Sequence, residues 1–518
     1  MRLTLPTKII SRPASSTFRG PTSLVAGAHQ ITSLIHQANS QSPCPCHVCS
    51  MSRQALPGAQ QSLLSGIRRM GDQVGSRADK EYAFEVAASN IRYGDGVTAE
   101  VGMDFANLKA KKVSVFTDQK IVKLDIMKTV LQSLEASGVA YDVYDRCKVE
   151  PTDESWKDAI SWSRQRDSTH FLAVGGGSVI DTTKAANLFT VYKEAELEDF
   201  LNAPVGKGLP VKETLRPLIA IPTTAGTGSE TTGSAILDIP SKKFKTGIAS
   251  RALKPLLGIV DPQNTASCPR DVHLSSGLDV LFHSIESYTA IPYYERSPRP
   301  QNPIERPAYQ GRNPISDVFS SWALRTAVEM LPRVCKDQGD IFAREQMLLA
   351  STFAGIGFGN AGVHLCHAAS YPISSQNKTG PKYRQDGYNL EQPLIPHGIA
   401  VSLTGPSVFE FTAPSSPERH REIIRVFGGS SAEAESANVD DGSLGKMVGE
   451  VLAKFLDSLG GVPRGLKGVG YKKEDLGALV DGMLPQNRVI SLSPTEINTK
   501  NDEGRRFLEE IIRRAYSW

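Results

Sequence analysis

The chain has 518 residues, 40% hydrophobic and 22% charged, enough for two ordinary domains with real cores and a tail besides. No stretch approaches the roughly 18 consecutive apolar residues that cross a bilayer, which argues against a membrane span. The formal charge of +3 hides an asymmetry: residues 1–71 carry seven basic and no acidic residues, and removing those seven from the 58 leaves 51 basic against 55 acidic, a mildly acidic body without the basic stripe that tracks nucleic acid.

Residues 1–71 read as a mitochondrial targeting or disordered leader. Arg2, Lys8, Arg12, Arg19, Arg53, Arg68 and Arg69 stand among many serines with no acid, the pattern of an organelle import sequence, and the expected location is the mitochondrial matrix. Ile31 to Ile35 is too short for a secretory signal, and Met51 and Met70 are possible later starts. Cys44, Cys46 and Cys49 fall in this leader with no second pair to complete a zinc site, while Cys147, Cys268, Cys335 and Cys366 are scattered and suggest a reduced interior.

Residues 82–264 read as an α/β dinucleotide-binding domain. Val113 to Phe116, Tyr141 to Tyr144, Phe171 to Val174, Leu218 to Ile221 and Gly258 to Val260 are short apolar runs of strand character. Ile121 to Ser137 and Ser155 to Arg166 have the three-to-four spacing of crossover helices. The run Phe171 to Val174 enters Gly175-Gly176-Gly177-Ser178, a turn whose glycines admit close approach of a pyrophosphate to a helix start, or simply tight strand-to-helix packing. The run ending at Ile221 enters Pro222-Thr223-Thr224-Ala225-Gly226-Thr227-Gly228-Ser229-Glu230, whose hydroxyls suit ribose and phosphate oxygens. Both loops follow strand ends, where ligands of open parallel sheets gather. Asp118, just after another strand, is placed to accept from an adenosine ribose and would favour NAD over NADP.

Residues 265–518 read as mainly helical, with helices at Val272 to Tyr288, Val318 to Leu331, Ile341 to Phe353 and Lys446 to Leu459. Ile291 to Pro314 and Gln376 to Gln392 are long insertions without periodicity. On the first helix Asp279 and His283 are four apart and share a face, the spacing of two metal ligands and equally of a surface ion pair. His364, His367 and His397 follow; one carboxylate with further imidazoles makes a hard-to-borderline set compatible with ferrous iron or zinc.

At these residues the sequence resembles the iron-containing alcohol dehydrogenase family from Tyr82 onward. Gly-Gly-Gly-Ser with Asp181, Thr-Thr-Ala-Gly-Thr-Gly-Ser-Glu, Gly-Leu-Asp-x-x-x-His and Pro-His-Gly occur in the family's order. The resemblance implies an α/β N-terminal dinucleotide-binding domain followed by an all-helical C-terminal domain, the dehydroquinate synthase-like architecture, with the site in the cleft. It implies the metal ligands Asp279, His283, His367 and His397, and dinucleotide contacts at Asp118, Gly175, Gly176, Gly177, Ser178, Asp181, Thr223, Thr224, Ser229 and Lys245. Tyr371 stands where many alcohol-oxidising members have a second histidine; it and His364 are the candidate catalytic residues.

A finer likeness, carried by Ser89 to Gly94, Val149 to Asp153, Arg306 to Gly311 and Ala354 to His367, is to a mitochondrial branch of that family. It implies oxidation of 4-hydroxybutyrate to succinic semialdehyde coupled to reduction of 2-oxoglutarate to 2-hydroxyglutarate, through tightly bound NAD and a divalent metal, Fe2+ or Zn2+. The rivals are a conventional dehydrogenase that releases NADH and a noncatalytic metal- and nucleotide-binding protein. The expected partners are small hydroxy and keto acids, with a homo-oligomer possible and neither nucleic acid nor membrane involved. Both substrates carry a carboxylate remote from the reacting carbon, and the basic residues of the insertions, Arg296, Arg299, Arg306, Arg312, Lys378, Lys382 and Arg384, are the expected anchors for it.

Overall fold

Six short runs pair side by side in one parallel sheet: β1 (Asn90–Tyr93), β2 (Lys112–Phe116), β3 (Ala140–Tyr144), β4 (His170–Gly175), β5 (Leu218–Pro222) and β8 (Leu257–Val260), in the order β1-β8-β5-β4-β2-β3. The computed structural model describes residues 79–388, 390–437 and 439–518; the leader, its cysteine cluster, Met51 and Met70 lie outside them. Every residue of β4 and β5 is buried, as in strands covered on both faces. Their side chains alternate between two cores. Val113, Val115, Leu172, Val174, Ile219 and Ile221 meet helices α1 (Val101–Asn107) and α2 (Asp125–Ala136) on one face. Phe116, Phe171, Ala173 and Ala220 meet α3 (Asp153–Arg164) and α4 (Gly177–Val191) on the other.

The five expected strands are all present, within one residue at either end. The expected helix Ile121 to Ser137 is instead a 3-10 turn at Ile121–Lys123 followed by α2, broken where Leu124 is extended. β1 is a short edge strand, and β6 (Ser234–Ile239) pairs antiparallel with β7 (Phe244–Ala249) in a separate hairpin. These three carried no strand expectation.

Helices follow: α5 (Arg270–Thr289), α6 (Pro314–Lys336), α7 (Ile341–Ala361), α8 (Leu365–Asn377) and α9 (His397–Ser402), then Gly405–Thr412, Pro417–Ser436, Asp441–Leu459, Leu476–Met483, Asn487–Ile490 and Asp502–Arg514. They share one core, and α5 is buried around most of its circumference. An α/β half and a helical half are thus the architecture. Among the described residues the four cysteines are free, and no helix is long and apolar enough to cross a membrane.

The insertion 291–314 is ordered by backbone bonds, Ile291 N to Leu492 O and Gly311 N to Ala361 O, both at 2.9 Å. It clasps the start of the described chain: the Arg306 guanidinium, 8% exposed, donates to both Glu81 carboxylate oxygens and to Glu85. Arg299 lies over the Tyr82 ring. In the other insertion Lys378 pairs with Asp238 at 2.7 Å, and Arg384 donates to the Leu390 carbonyl.

Close helix contact is bought by glycine at one decisive point. A Cβ on Gly398 would lie 1.8 Å from the Ser275 carbonyl oxygen and 2.9 Å from the Asp279 nitrogen, backbone atoms of α5 that have nowhere to move. Gly398→Ala should therefore drive α9 off α5, and overpacking of this kind costs about 1 to 3 kcal/mol. Thermal unfolding is expected to shift down by a few degrees, and an unchanged melting temperature would show that the two helices part freely.

Candidate metal and dinucleotide site

Helix α5 supplies the centre of the site. Asp279, His283 and Glu286 fall at i, i+4 and i+7 and so lie along one stripe of the helix. The Nε2 atoms of His283, His367 and His397 lie 3.6, 3.6 and 3.7 Å from Asp279 Oδ1. Those distances are too long for hydrogen bonds. They suit donors that share one cation, each about 2 Å from it. Asp279, His367 and His397 offer donor atoms all within 4.8 Å of one another, and His283 adds a fourth. Asp279 Oδ1 and His367 Nε2 are buried without a hydrogen-bond partner. A native interior rarely leaves such groups unmet, so the set fits a divalent cation with three nitrogens and one oxygen. Of the four, His397 is the one open to solvent, at 29% side-chain exposure.

The electrostatics match. Burial opposes charge on Asp279, yet the three imidazoles outweigh it and hold the carboxyl below its usual range. Burial pulls His283 to about 4 and His397 to about 3, leaving both neutral with lone pairs to give. Burial pulls His367 the same way, but Glu286 and Asp279 reverse it to about 10. A cation binding here displaces that proton.

Glu286, buried completely, was missed by the sequence reading. Its Oε2 accepts from His367 Nδ1 at 2.5 Å and its Oε1 from the Cys366 amide at 2.6 Å, so it fixes which imidazole nitrogen faces Asp279. The signal was present in the i+7 spacing from Asp279. His364 stands behind Glu286, 3.2 Å from Oε1 and 3.0 Å from the Thr289 hydroxyl, and not among the four ligand side chains. Tyr371, four residues after His367, lies parallel to the His397 ring at 6.5 Å between centroids, and its hydroxyl accepts from Arg488 Nη2 at 2.9 Å.

The sheet brings the dinucleotide candidates to its carboxyl edge. From β2 the chain turns outward to β3, whereas from β4 it turns the other way to β5, so the crevice between the ends of β2 and β4 is a topological switch point. Asp118 stands at one lip, its Oδ1 capping the following turn through the amides of Lys120 and Ile121. Gly175, Gly176, Gly177 and Ser178 stand at the other. Gly177 has Thr227 where a Cβ would sit, and Gly176 has Thr224 at 3.2 Å, so the two candidate loops pack directly together. The Thr223 amide bonds the Gly175 carbonyl at 3.2 Å.

Asp181 and Ser229 are instead bonded to each other at 2.6 Å, with Lys184, unnoticed in the sequence, donating to Ser229 at 2.7 Å in a buried network. Lys245 is paired to Glu150 at 2.8 Å.

The same loop joins the halves. Gly228, with φ +56°, sits where a Cβ would be 2.6 Å from Gly355 of α7, and Gly226 abuts Ser276 of α5. The candidate dinucleotide loop therefore touches the helix that carries Asp279.

Comparison with known proteins agrees with this geometry. Residues 88–262 match the family model described as iron-containing alcohol dehydrogenase, and residues 304–382 match that of the C-terminal part of the same family. The chain is 49% identical over 469 residues to a rat (Rattus norvegicus) protein named hydroxyacid-oxoacid transhydrogenase, mitochondrial, covering 90% of this chain and 95% of that one. It is 51% identical over 414 residues to the human (Homo sapiens) protein of that name, covering 80% and 87%. A crystal structure of 1,3-propanediol oxidoreductase superposes with a TM-score of 0.69 at 22% identity, covering 84% of this chain and 100% of that one.

Glu286→Gln keeps all four ligand side chains and removes the charge that orients His367. Loss of such a partner typically weakens metal affinity about 10- to 100-fold. A chelator-competition titration is expected to read a loss of that size with the fold intact; unchanged affinity would leave Glu286 as a packing residue.

Proposed function

The chain belongs to the iron-containing alcohol dehydrogenase family, and from that premise we propose that it works in the mitochondrial matrix as a hydroxyacid-oxoacid transhydrogenase. It oxidises 4-hydroxybutyrate to succinic semialdehyde and reduces 2-oxoglutarate to 2-hydroxyglutarate. The observation that carries this reading is the buried Asp279–His283–His367–His397 set lying against the loop of the dinucleotide crevice.

A divalent cation in that set, Fe2+ or Zn2+ by its donors, would lower the pKa of an alcohol oxygen and polarise a keto oxygen. NAD would take the hydride from one substrate and return it to the next. The chain's own residues position these events. We assign the dinucleotide to the crevice between β2 and β4, with Asp118 toward a ribose, and Gly175 to Ser178, Thr223 and Thr224 toward the phosphates. Asp181 and Ser229, joined to Lys184, hold that loop in shape from behind. Lys245 stands by the nucleotide with its charge balanced by Glu150. His364 acts through Glu286 as a positioning residue.

Tyr371 is the proton carrier in this reading. Arg488 donates to its oxygen, which leaves the phenolic proton to point elsewhere, and the ring flanks His397 on the open side of the set. With NAD bound as the hydride carrier, Tyr371 would take the alcohol's proton in the first half-reaction and return it to the keto oxygen being reduced in the second.

Retention of NADH between the halves is supported by the insertion after α8. Lys120, two residues past Asp118, donates to the Tyr388 carbonyl at 2.6 Å, while Lys378 ties the same segment to Asp238 of β6. The segment thus bridges to the lip of the crevice.

Extensively dialysed protein is expected to keep an absorbance at the NADH band after exposure to 4-hydroxybutyrate and to lose it on addition of 2-oxoglutarate alone. A requirement for added NAD at every turnover would instead mark a conventional dehydrogenase, and absence of turnover a binding protein.

Tyr371→Phe removes only the hydroxyl. Proton transfer of this type contributes about 10²- to 10⁴-fold, so single-turnover rates should fall by that order with metal content unchanged. A rate equal to that of the unaltered protein across pH would reduce Tyr371 to a packing role.

A further inference from the structure

Beside the four ligands runs a ring of side chains that begins and ends on two of them. His283 stacks on Phe358 at 3.7 Å between centroids, and Phe358 meets Tyr309 at 6.3 Å. The Arg488 guanidinium stands 5.5 Å from the Tyr309 ring centre and donates to the Tyr371 hydroxyl, whose ring flanks His397. Arg488 comes from the short helix Asn487–Ile490 near the end of the chain, and its Nη1 is buried without a hydrogen-bond partner. A buried guanidinium nitrogen left unpaired is costly unless an anion meets it.

We propose that Arg488 is the anchor for the substrate carboxylate remote from the reacting carbon. This deepens the transhydrogenase reading and rests on it. Three other cations are engaged by carboxylates: Lys245 by Glu150, Arg306 by Glu81 and Glu85, Lys378 by Asp238. Of the basic residues of the insertions expected from sequence to bind this carboxylate, Arg306 and Lys378 already meet carboxylates of the chain, and Arg488 is the cation hydrogen-bonded to Tyr371 beside His397.

The chemistry of the two substrates fits a single anchor. In 4-hydroxybutyrate two methylenes separate the alcohol carbon from the carboxylate. In 2-oxoglutarate two methylenes separate the keto carbon from the distal carboxylate. One guanidinium at a fixed distance from the ligands therefore orients both molecules with the reacting carbon in the same place, as successive use of one bound nucleotide demands. A planar guanidinium also fixes direction, which an ammonium does not.

The test uses Arg488→Met and Arg488→Lys in the full-length protein, with Tyr371→Phe as control. Succinate, an unreactive dicarboxylate with the same two methylenes, is titrated calorimetrically into protein carrying its metal and nucleotide. Arg488→Met is expected to weaken succinate about 10- to 100-fold, with Arg488→Lys and Tyr371→Phe, which loses the hydroxyl that holds the guanidinium, between it and the unaltered protein. Metal and nucleotide content should not change. In turnover, the Michaelis constants of 4-hydroxybutyrate and 2-oxoglutarate should rise together, and the preference for 4-hydroxybutyrate over 1-butanol should fall by the same factor. Equal succinate affinity in Arg488→Met, no succinate binding to the unaltered protein, or a loss reproduced in full by Tyr371→Phe would each overturn the assignment. Failure of the transhydrogenase reading is seen separately, as absence of 2-oxoglutarate reduction in unaltered protein that still binds succinate through Arg488.

Discussion

Three imidazole nitrogens converge on one buried carboxylate oxygen at distances too long for any of them to bond it. An isolated charge in such a place is unfavourable by several kcal/mol unless something compensates it, and most of the neighbouring architecture is arranged around that condition. Asp279 and His283 share a helix, which fixes their spacing without help from the rest of the chain. His367 is delivered by α8 and locked by Glu286, and His397 by α9, which can come near enough only because Gly398 lacks a side chain. One helix thus carries two candidate ligands and the carboxylate that orients a third.

The second constraint is that this set must be held in register with a crevice on a different half of the molecule. The Thr223 to Glu230 loop answers it by packing on both sides at once, against the glycine turn after β4 and against α5 and α7. A displacement of the helical half by an ångström would be felt in this loop, because Gly228 meets backbone atoms of Gly355 and Ser351 with no room for a Cβ.

How much of this was legible in the sequence depended on how local the cause was. β4 and β5 could be read because every residue in them is buried; the glycine turn and the Asp279–His283 pair because their chemistry lies within a few residues. β6 and β7 could not, since their turn carries Lys243 in a left-handed conformation with no glycine to announce it. The four candidate ligand residues were expected from likeness to a family, and their side chains lie side by side. Glu286 sat one step further along a pattern already noticed. Arg488 was beyond reach, because its partner Tyr371 is 117 residues away. The same distance effect misled the reading of Arg306, whose partner Glu81 lies 225 residues upstream and turns a free-looking arginine into a clasp.

That clasp bears on how the start of the described chain is tied to the candidate site. Arg306 is nearly enclosed, and its charge is met by Glu81 and Glu85 at the very start of the described chain. Removing one partner of such a pair leaves the other stranded, a loss of about 3 to 5 kcal/mol. Without Glu81, Arg306 would keep only the more exposed Glu85, beneath the 291–314 segment that also carries Tyr309 beside Phe358 and Arg488. The start of the described chain and the wall of the candidate site are thus coupled through one enclosed charge.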